Sequence, residues 1–301
     1  MKQLPITILI AAKNEESNIG RCLATLSLVE RVAVIDSQSH DNTEKIAKEH
    51  GAEVVQFNYR GGYPKKRQWA LDNLKIETPW VILIDADEVV PEDLWKEIHQ
   101  SINNSRPHVA YLISKGFHFL GRRFRFGGFS HSAIILFQTG LARFEQILDD
   151  RSDSFDVEVH ERIIVDGSIG KLKTPLIHED FKGLAAYIDR HNRYSTWEAK
   201  VRHNFLKNGH WGMNTIEPRF FGNTQERRRF LKALAVRAPF EPQLWFLYHY
   251  IVRLGFLEGR PGLIASQIRA NYITQARGKM YELYLREKGL LSRKFPSSLQ
   301  Y

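Results

Sequence analysis

Residues 81–90 read VILIDADEVV. A short apolar run ends abruptly in Asp85, Ala86, Asp87 and Glu88. Its length and composition suit a buried strand. A carboxylate taken out of water is costly unless it is paired or holds a cation. Two aspartates one residue apart at a strand end offer hard oxygen ligands suited to Mg²⁺ or Mn²⁺, which keep places for water and substrate phosphates. Taken alone, the run fits equally an exposed turn that leads into the helix opened by Pro91.

The flanking sequence repeats this layout. Residues 5–12 (PITILIAA), 32–36 (VAVID), 52–57 (AEVVQF) and 80–85 (WVILID) are apolar strands. Between them lie helical stretches, one through Ile19, Leu23 and Leu26, one in NTEKIAKEH up to Gly51, and one in KKRQWALDNL. Such alternation implies βαβ units and a largely parallel sheet, whose ligands gather at the carboxyl ends of the strands. Asp36 ends the second strand and Asp85 the fourth, while Lys13, Asn14 and Glu15 follow the first. These groups are expected on one sheet edge. Beyond residue 105, VAYLISKGFHFL and SAIILFQ read as longer strands around GRRFRFGG. From about residue 181 the chain reads as helical, with a capping box at Asn223 and Glu226.

Three segments in order resemble the family 2 glycosyltransferases of GT-A fold: ITILIAAKNEESNI, VIDSQSHDNT and LIDADE. The resemblance is specific over roughly residues 5–95. It implies an α/β fold, a Rossmann-like mixed sheet flanked by helices, and a metal-dependent inverting transfer from a UDP-sugar. Asp36 would accept a hydrogen bond from the base. Ala11, Ala12, Asn14 and Glu15 would line the nucleoside pocket, and Asp85 with Ala86 would lie near the ribose and metal, with Asp87 as the direct metal ligand. Lys65, Lys66 and Arg67 fall where the family often contacts the nucleotide or diphosphate; an exposed basic helix start is the alternative. Gly127 and Gly128 would allow close backbone approach to the donor sugar, unless they simply turn a hairpin. Further on, residues 157–180 (VEVHERIIVDGSIGKLKTPLIHED) resemble the corresponding segment of lipopolysaccharide-core and related polysaccharide enzymes. There Glu161 would be the catalytic base, and His178 would join Asp85 and Asp87 as a metal ligand. His160-Glu161 replaces the family's Glu-Asp pair, so Asp156, Glu158 and Asp180 compete for the base role.

Charge divides the chain. Residues 1–180 carry 22 Lys+Arg against 26 Asp+Glu, and residues 181–301 carry 21 against 8. The expected division is a catalytic domain over 1–180 and a basic helical region over 181–301 that docks on an anionic membrane surface and shapes the site for a lipid-linked or glycolipid acceptor. Residues 242–257 (PQLWFLYHYIVRLGFL) are apolar nearly all round, and one face of the stretch that follows carries Ile264, Ile268, Tyr272, Ala276, Met280 and Leu283; together they suggest helices lying in a membrane interface, and an ordinary helical lid is the alternative. No run reaches the roughly 18 apolar residues of a spanning helix, and the N-terminal apolar run is broken by Pro5, as in a first strand rather than a signal peptide. The expected location is the cytoplasmic face of a bacterial plasma membrane, which the single cysteine, Cys22, suits. A nucleotidyltransferase usually places a glycine-rich basic loop after the first strand, where KNEESN stands instead. Nucleic acid is not an expected partner, since no recognition motif accompanies the basic half. A non-catalytic membrane scaffold is disfavoured by Asp85, Asp87, Glu161 and His178 together.

Overall fold

The computed structural model describes residues 3–147, 156, 158, 161–180 and 182–291. His160, half of the pair singled out above, lies outside them. The chain divides into two compact units, Met1–Gly183 and Leu184–Tyr301.

The first unit is built on β1 (Leu4–Ala12), β2 (Val29–Asp36), β3 (Glu53–Gln56) and β4 (Trp80–Asp85), all parallel. Side chains alternate across a strand, so each strand feeds two cores. Ile6, Ile8 and Ile10 join Ile82 and Ile84 in one core, with Ile19, Leu94 and Ile98. Leu9, Ile35, Val81 and Leu83 pack on the opposite face with Phe57 and Ala70. Burial on both faces explains why these strands read as continuous apolar runs. The helices are α1 (Ile19–Leu23), α2 (Thr43–Glu49), α3 (Lys66–Asn73) and α4 (Glu92–Ile102).

The sheet then turns mixed. Two-residue β5 (Glu88–Val89) follows β4, and β6 (Ala110–Phe119), β7 (Arg122–Arg123) and β8 (His131–Gln138) form antiparallel pairs. After the small β9 (Ala142–Phe144)–β10 (Ile163–Val165) pair come β11 (Ile169–Lys171) and β12 (Leu176–His178), both parallel to β6. The order is β3-β2-β1-β4-β8-β6-β12-β5, with β7 and β11 also on β6. The parallel pattern expected from the sequence therefore holds for β1–β4 and gives way where β8 runs against both β4 and β6.

The second unit contains α5 (Gly183–Asn208), α6 (Thr224–Arg237), α7 (Glu241–Leu247) and α8 (Gly259–Glu287). The capping box at Asn223 and Glu226 opens α6. Residues 242–257 do not form one helix. A π turn (Tyr248–Val252) and a 3₁₀ turn (Gly255–Glu258) follow α7, with Leu254 left-handed between them at φ 60°. The chain folds tightly here. A Cβ on Gly255 would sit 2.6 Å from the His249 carbonyl, and one on Gly262 would sit 2.1 Å from the Gly255 carbonyl. Inside the unit, the Arg202 guanidinium donates to Glu198 (2.5 Å) and Glu241 (2.8 Å), and Arg277 also donates to Glu241 (3.1 Å). The α8 face marked by Tyr272 and Ala276 is buried, and Ile264, Ile268, Met280 and Leu283 are half-buried. The middle of that face therefore packs within its own unit. Among the described residues, no helix is long and apolar enough to cross a membrane.

Candidate active site

Register brings three strand ends together: Ala11 lies opposite Asp85, and Ala12 opposite Asp36. Around them, the two loops after β1 and β2 are stitched to each other. Asn14, left-handed at φ 52°, receives the His40 amide on Oδ1 (2.9 Å), and its own amide donates to Ser39 Oγ (2.8 Å). The Glu15 amide donates to Thr43 Oγ1 (2.7 Å). The Glu15 carboxylate receives Lys182 Nζ (2.6 Å) and Asn18 Nδ2 (2.9 Å). Burial still raises its pKa against these partners. Asp36 is fully buried and holds its own turn: Oδ2 accepts from the Ser39 amide (3.1 Å) and Gln56 Nε2 (3.0 Å), and Oδ1 from Ser39 Oγ.

The first turn of α3 distributes three successive cations to three acids. Lys65 pairs with Glu161 (3.3 Å), Lys66 with Asp156 (3.2 Å), and Arg67 with Asp85. Lys66 Nζ also donates to the Ala12 carbonyl (2.7 Å), and burial lowers its pKa. The expected exposed basic helix start is therefore absent; Lys65 and Lys66 are buried. Glu158 accepts from the amides of Arg67 (3.2 Å) and Gln68 (3.0 Å), two donors with no partner inside the helix. Glu158 thus caps the start of α3. Glu161 lies in a small cavity lined also by Tyr63, Lys65, Glu145, Ile147 and Glu158. Asp180 is likewise engaged, receiving Asn18 Nδ2 (3.1 Å).

Lys115, which sequence reasoning passed over, and Glu88, which it named without a role, complete the acidic centre. Lys115 on β6 reaches Asp85 Oδ2 (2.9 Å) and Glu88 Oε1 (2.5 Å), and Glu88 Oε2 accepts the Asp85 amide (2.9 Å). Burial would raise the pKa of Asp85, but Arg67 and Lys115 hold it well below the usual carboxylate range. The signal available was a lysine inside the apolar run YLISKGF.

Asp87 is arranged differently. Its Oδ2 faces His178 Nε2 at 3.2 Å across the β5–β12 pair, while the buried Oδ1 has no hydrogen-bond partner among the described residues. Burial would lower the His178 pKa, but the Asp87 charge and hydrogen bond outweigh it and lift it to about 9. Of the expected metal set, Asp87 and His178 are thus side by side, and Asp85 is turned to Arg67 and Lys115 instead. Two half-buried cations at bonding distance satisfy both its oxygens. Among the described residues, no three His, Cys, Asp or Glu side chains are spaced to hold a metal. The donor chemistry nonetheless suits a divalent ion at Asp87, because a buried carboxylate oxygen without a partner and an adjacent imidazole are both ordinary ligands. Ala86 is buried. Gly127 (φ 80°) and Gly128 (φ 67°) turn the chain back towards β8, beside the packed rings of Phe117, Phe124 and Phe129.

A mixed sheet led by parallel strands, with acidic groups gathered at their carboxyl ends, is the layout expected of a glycosyltransferase of GT-A fold, and the family comparison agrees. The family model for glycosyl transferase family 2 matches residues 7–155, and this part of the chain is a domain of that family. Similar proteins extend further. The lipopolysaccharide core biosynthesis glycosyltransferase LpsC of Rhizobium meliloti is 23% identical over 286 residues, covering 93% of each chain. An uncharacterized glycosyltransferase of Rickettsia typhi, RT0209, is 25% identical, covering 95% of this chain and 90% of its own. Among solved structures, glucosyl-3-phosphoglycerate synthase of Mycobacterium tuberculosis, in complex with Mn²⁺, UDP and glucosyl-3-phosphoglycerate, is 24% identical with a TM-score of 0.30. The match covers 38% of this chain and 44% of that one, so the chain spans less than half of that structure's length.

Proposed function

We propose that this family 2 glycosyltransferase moves a sugar from a UDP-sugar, with inversion, to a lipid-linked or lipopolysaccharide-type glycan at a membrane face. The first unit would carry the chemistry and the second would dock the enzyme. The observation that carries the donor half is the convergence of Ala12, Asp36 and Asp85 in register, beside an Asp87 oxygen that lacks a partner. The likeness to a lipopolysaccharide core enzyme over nearly the whole chain supports the acceptor class.

Asp87 and His178 would hold a Mn²⁺ or Mg²⁺ ion, which offsets negative charge on the departing diphosphate. Asp36, the β1 end and the loop of Asn14 and Glu15 would seat the nucleoside. Glu161 would take the proton of the acceptor hydroxyl as its oxygen bonds to the anomeric carbon and the bond to UDP breaks. Lys65 pairs with Glu161 in the resting arrangement, so the acceptor would have to share or displace that contact. Lys66 and Arg67 remain candidates for the diphosphate on the same terms, since each is engaged by a carboxylate.

UDP formation from a panel of UDP-sugars, with Mn²⁺, with Mg²⁺ and with chelator, tests the reading. Metal-dependent UDP formation from one donor, rising with a bacterial glycolipid acceptor, is expected. Binding of other nucleotide-sugars in preference to every UDP-sugar would overturn the donor class, and equal turnover in chelator would overturn the metal.

A further inference from the structure

We infer that the turn-rich segment 240–257 of the second unit inserts into the outer part of an anionic lipid leaflet. This rests on the membrane element of the proposed function and narrows it to one segment. The segment exposes nine large apolar side chains in eighteen residues. Leu244, Leu247, Tyr248 and Ile251 follow helical spacing along one side of α7 and the π turn, and Val252 and Phe256 extend the patch. Val252 is 66% exposed, in a position where a soluble surface would carry a polar side chain. Isolated exposed leucines need no explanation, but a contiguous patch marks an interaction surface.

Charge identifies the occupant. Residues 227–281 contain ten Lys+Arg and two acidic residues, Glu241 and Glu258. Both glutamates are buried, at 2% and 1% exposure. The surface of this stretch therefore offers exposed apolar side chains and cations, such as Arg253 and Arg260, with no exposed carboxylate. An apolar face flanked by arginine is the pattern of a helix lying in a bilayer interface, and anionic headgroups complement it. A second copy of the chain would bring like charges together. The patch is also stiffened from beneath: Trp245 stacks on His249 with centroids 4.2 Å apart, and the Arg269 guanidinium lies 5.3 Å from the Trp245 ring. An ordered backing means that little freedom is lost on insertion.

Vesicle flotation of the full chain tests this, with phosphatidylcholine alone and with added phosphatidylglycerol. Binding is expected to the mixed vesicles. Bromine placed on their acyl chains should quench tryptophan emission, and Trp245→Phe should remove that quenching. The double substitution Leu247→Ser, Ile251→Ser removes two exposed side chains, so the fold should survive, as circular dichroism would verify. Losing two anchors should weaken vesicle binding by about a hundredfold. Leu206→Ser, an exposed apolar change elsewhere in the unit, should leave it unchanged. Failure to float with phosphatidylglycerol, wild-type binding by the folded double variant, or a self-associated species that this variant dissociates without any vesicle binding, would each overturn the inference. UDP formation from donor alone reads the sugar chemistry separately. Its persistence without flotation would sink the leaflet contact and leave the transferase reading standing.

Discussion

Lys115→Met is the most informative perturbation of the acidic centre. The Lys115 ammonium lies 2.5 Å from Glu88 and 2.9 Å from Asp85, and the Glu88 side chain is fully buried. Methionine keeps the volume and removes the charge. Asp85 retains Arg67, but Glu88 loses its ion-pair partner and keeps the Asp85 amide. Breaking a buried pair from one side costs about 3–5 kcal/mol. The remaining amide and the nearby Arg67 argue for the lower end, about 3 kcal/mol. For a unit of this size that corresponds to a melting shift of about 6–12 °C. Because two units can unfold separately, the assay is hydrogen exchange at β4 and β6 in a urea series, which reads the first unit alone. Adding Glu88→Gln to Lys115→Met should recover at least about half of the loss, since a neutral amide leaves no uncompensated charge. A loss below about 1 kcal/mol for Lys115→Met, or a further loss on adding Glu88→Gln, would show that the pair does not hold this edge together.

The other expected outcomes concern the reacting groups and the second unit. Asp87→Ala should abolish metal-dependent UDP formation, and it should also lower the melting temperature, because Oδ2 is the partner that holds the His178 imidazole; calorimetric titration with Mn²⁺ checks the binding directly. Glu161→Gln should keep donor affinity and lose about 10²–10⁴ in transfer rate, read by donor binding beside turnover. Arg202→Met removes one buried partner each from Glu198, which keeps Lys232, and from Glu241, which keeps Arg277, and should cost about 3 kcal/mol in denaturant unfolding. Burial above all, aided by Arg269 and Arg190, lowers His191 from the ordinary 6.5 to about 4. Below pH 6.5 the unfolded chain then gains a proton that the folded chain refuses, so stability should fall by about 2 kcal/mol as pH drops from 6.5 towards 4. His191→Gln should flatten that slope.

The parallel half of the sheet was legible because each of its strands is buried on both faces and stops at a polar turn. Those stops are local, and they put Asp36 and Asp85 at strand ends without any tertiary information. What could not be read were partnerships set by register between distant segments. Lys115 meets Asp85 because β8 inserts between β4 and β6 in antiparallel sense, which the apolar runs do not encode. Glu158 meets the start of α3 some ninety residues earlier in the chain, so it resembled a free acid in the sequence. In the second unit, periodicity identified the amphipathic face of α8 but not what covers it. Tyr272 and Ala276 proved to be core, and the exposed apolar surface lay in the segment where left-handed Leu254 and the close contact at Gly255 interrupt the helix.

The electrostatics of the catalytic edge separate its acids by how much acceptor capacity each has left. Asp36 spends both oxygens on Ser39 and Gln56, and so fixes the loop that follows β2. Asp85 spends both on Arg67 and Lys115. Glu158 spends both on backbone amides of α3. These groups are compensated by the protein itself, and a ligand could engage them only by competing with a partner already in place. Asp87 has one oxygen on His178 and one without a hydrogen bond, although burial makes an unsatisfied carboxylate oxygen costly. A fold that retains that cost beside an imidazole, in the turn between β4 and β5, offers a cation a ligand there. For that reason Asp87, ahead of Asp85, is the proposed direct ligand, with Asp85 serving to orient Arg67 and Lys115 around it.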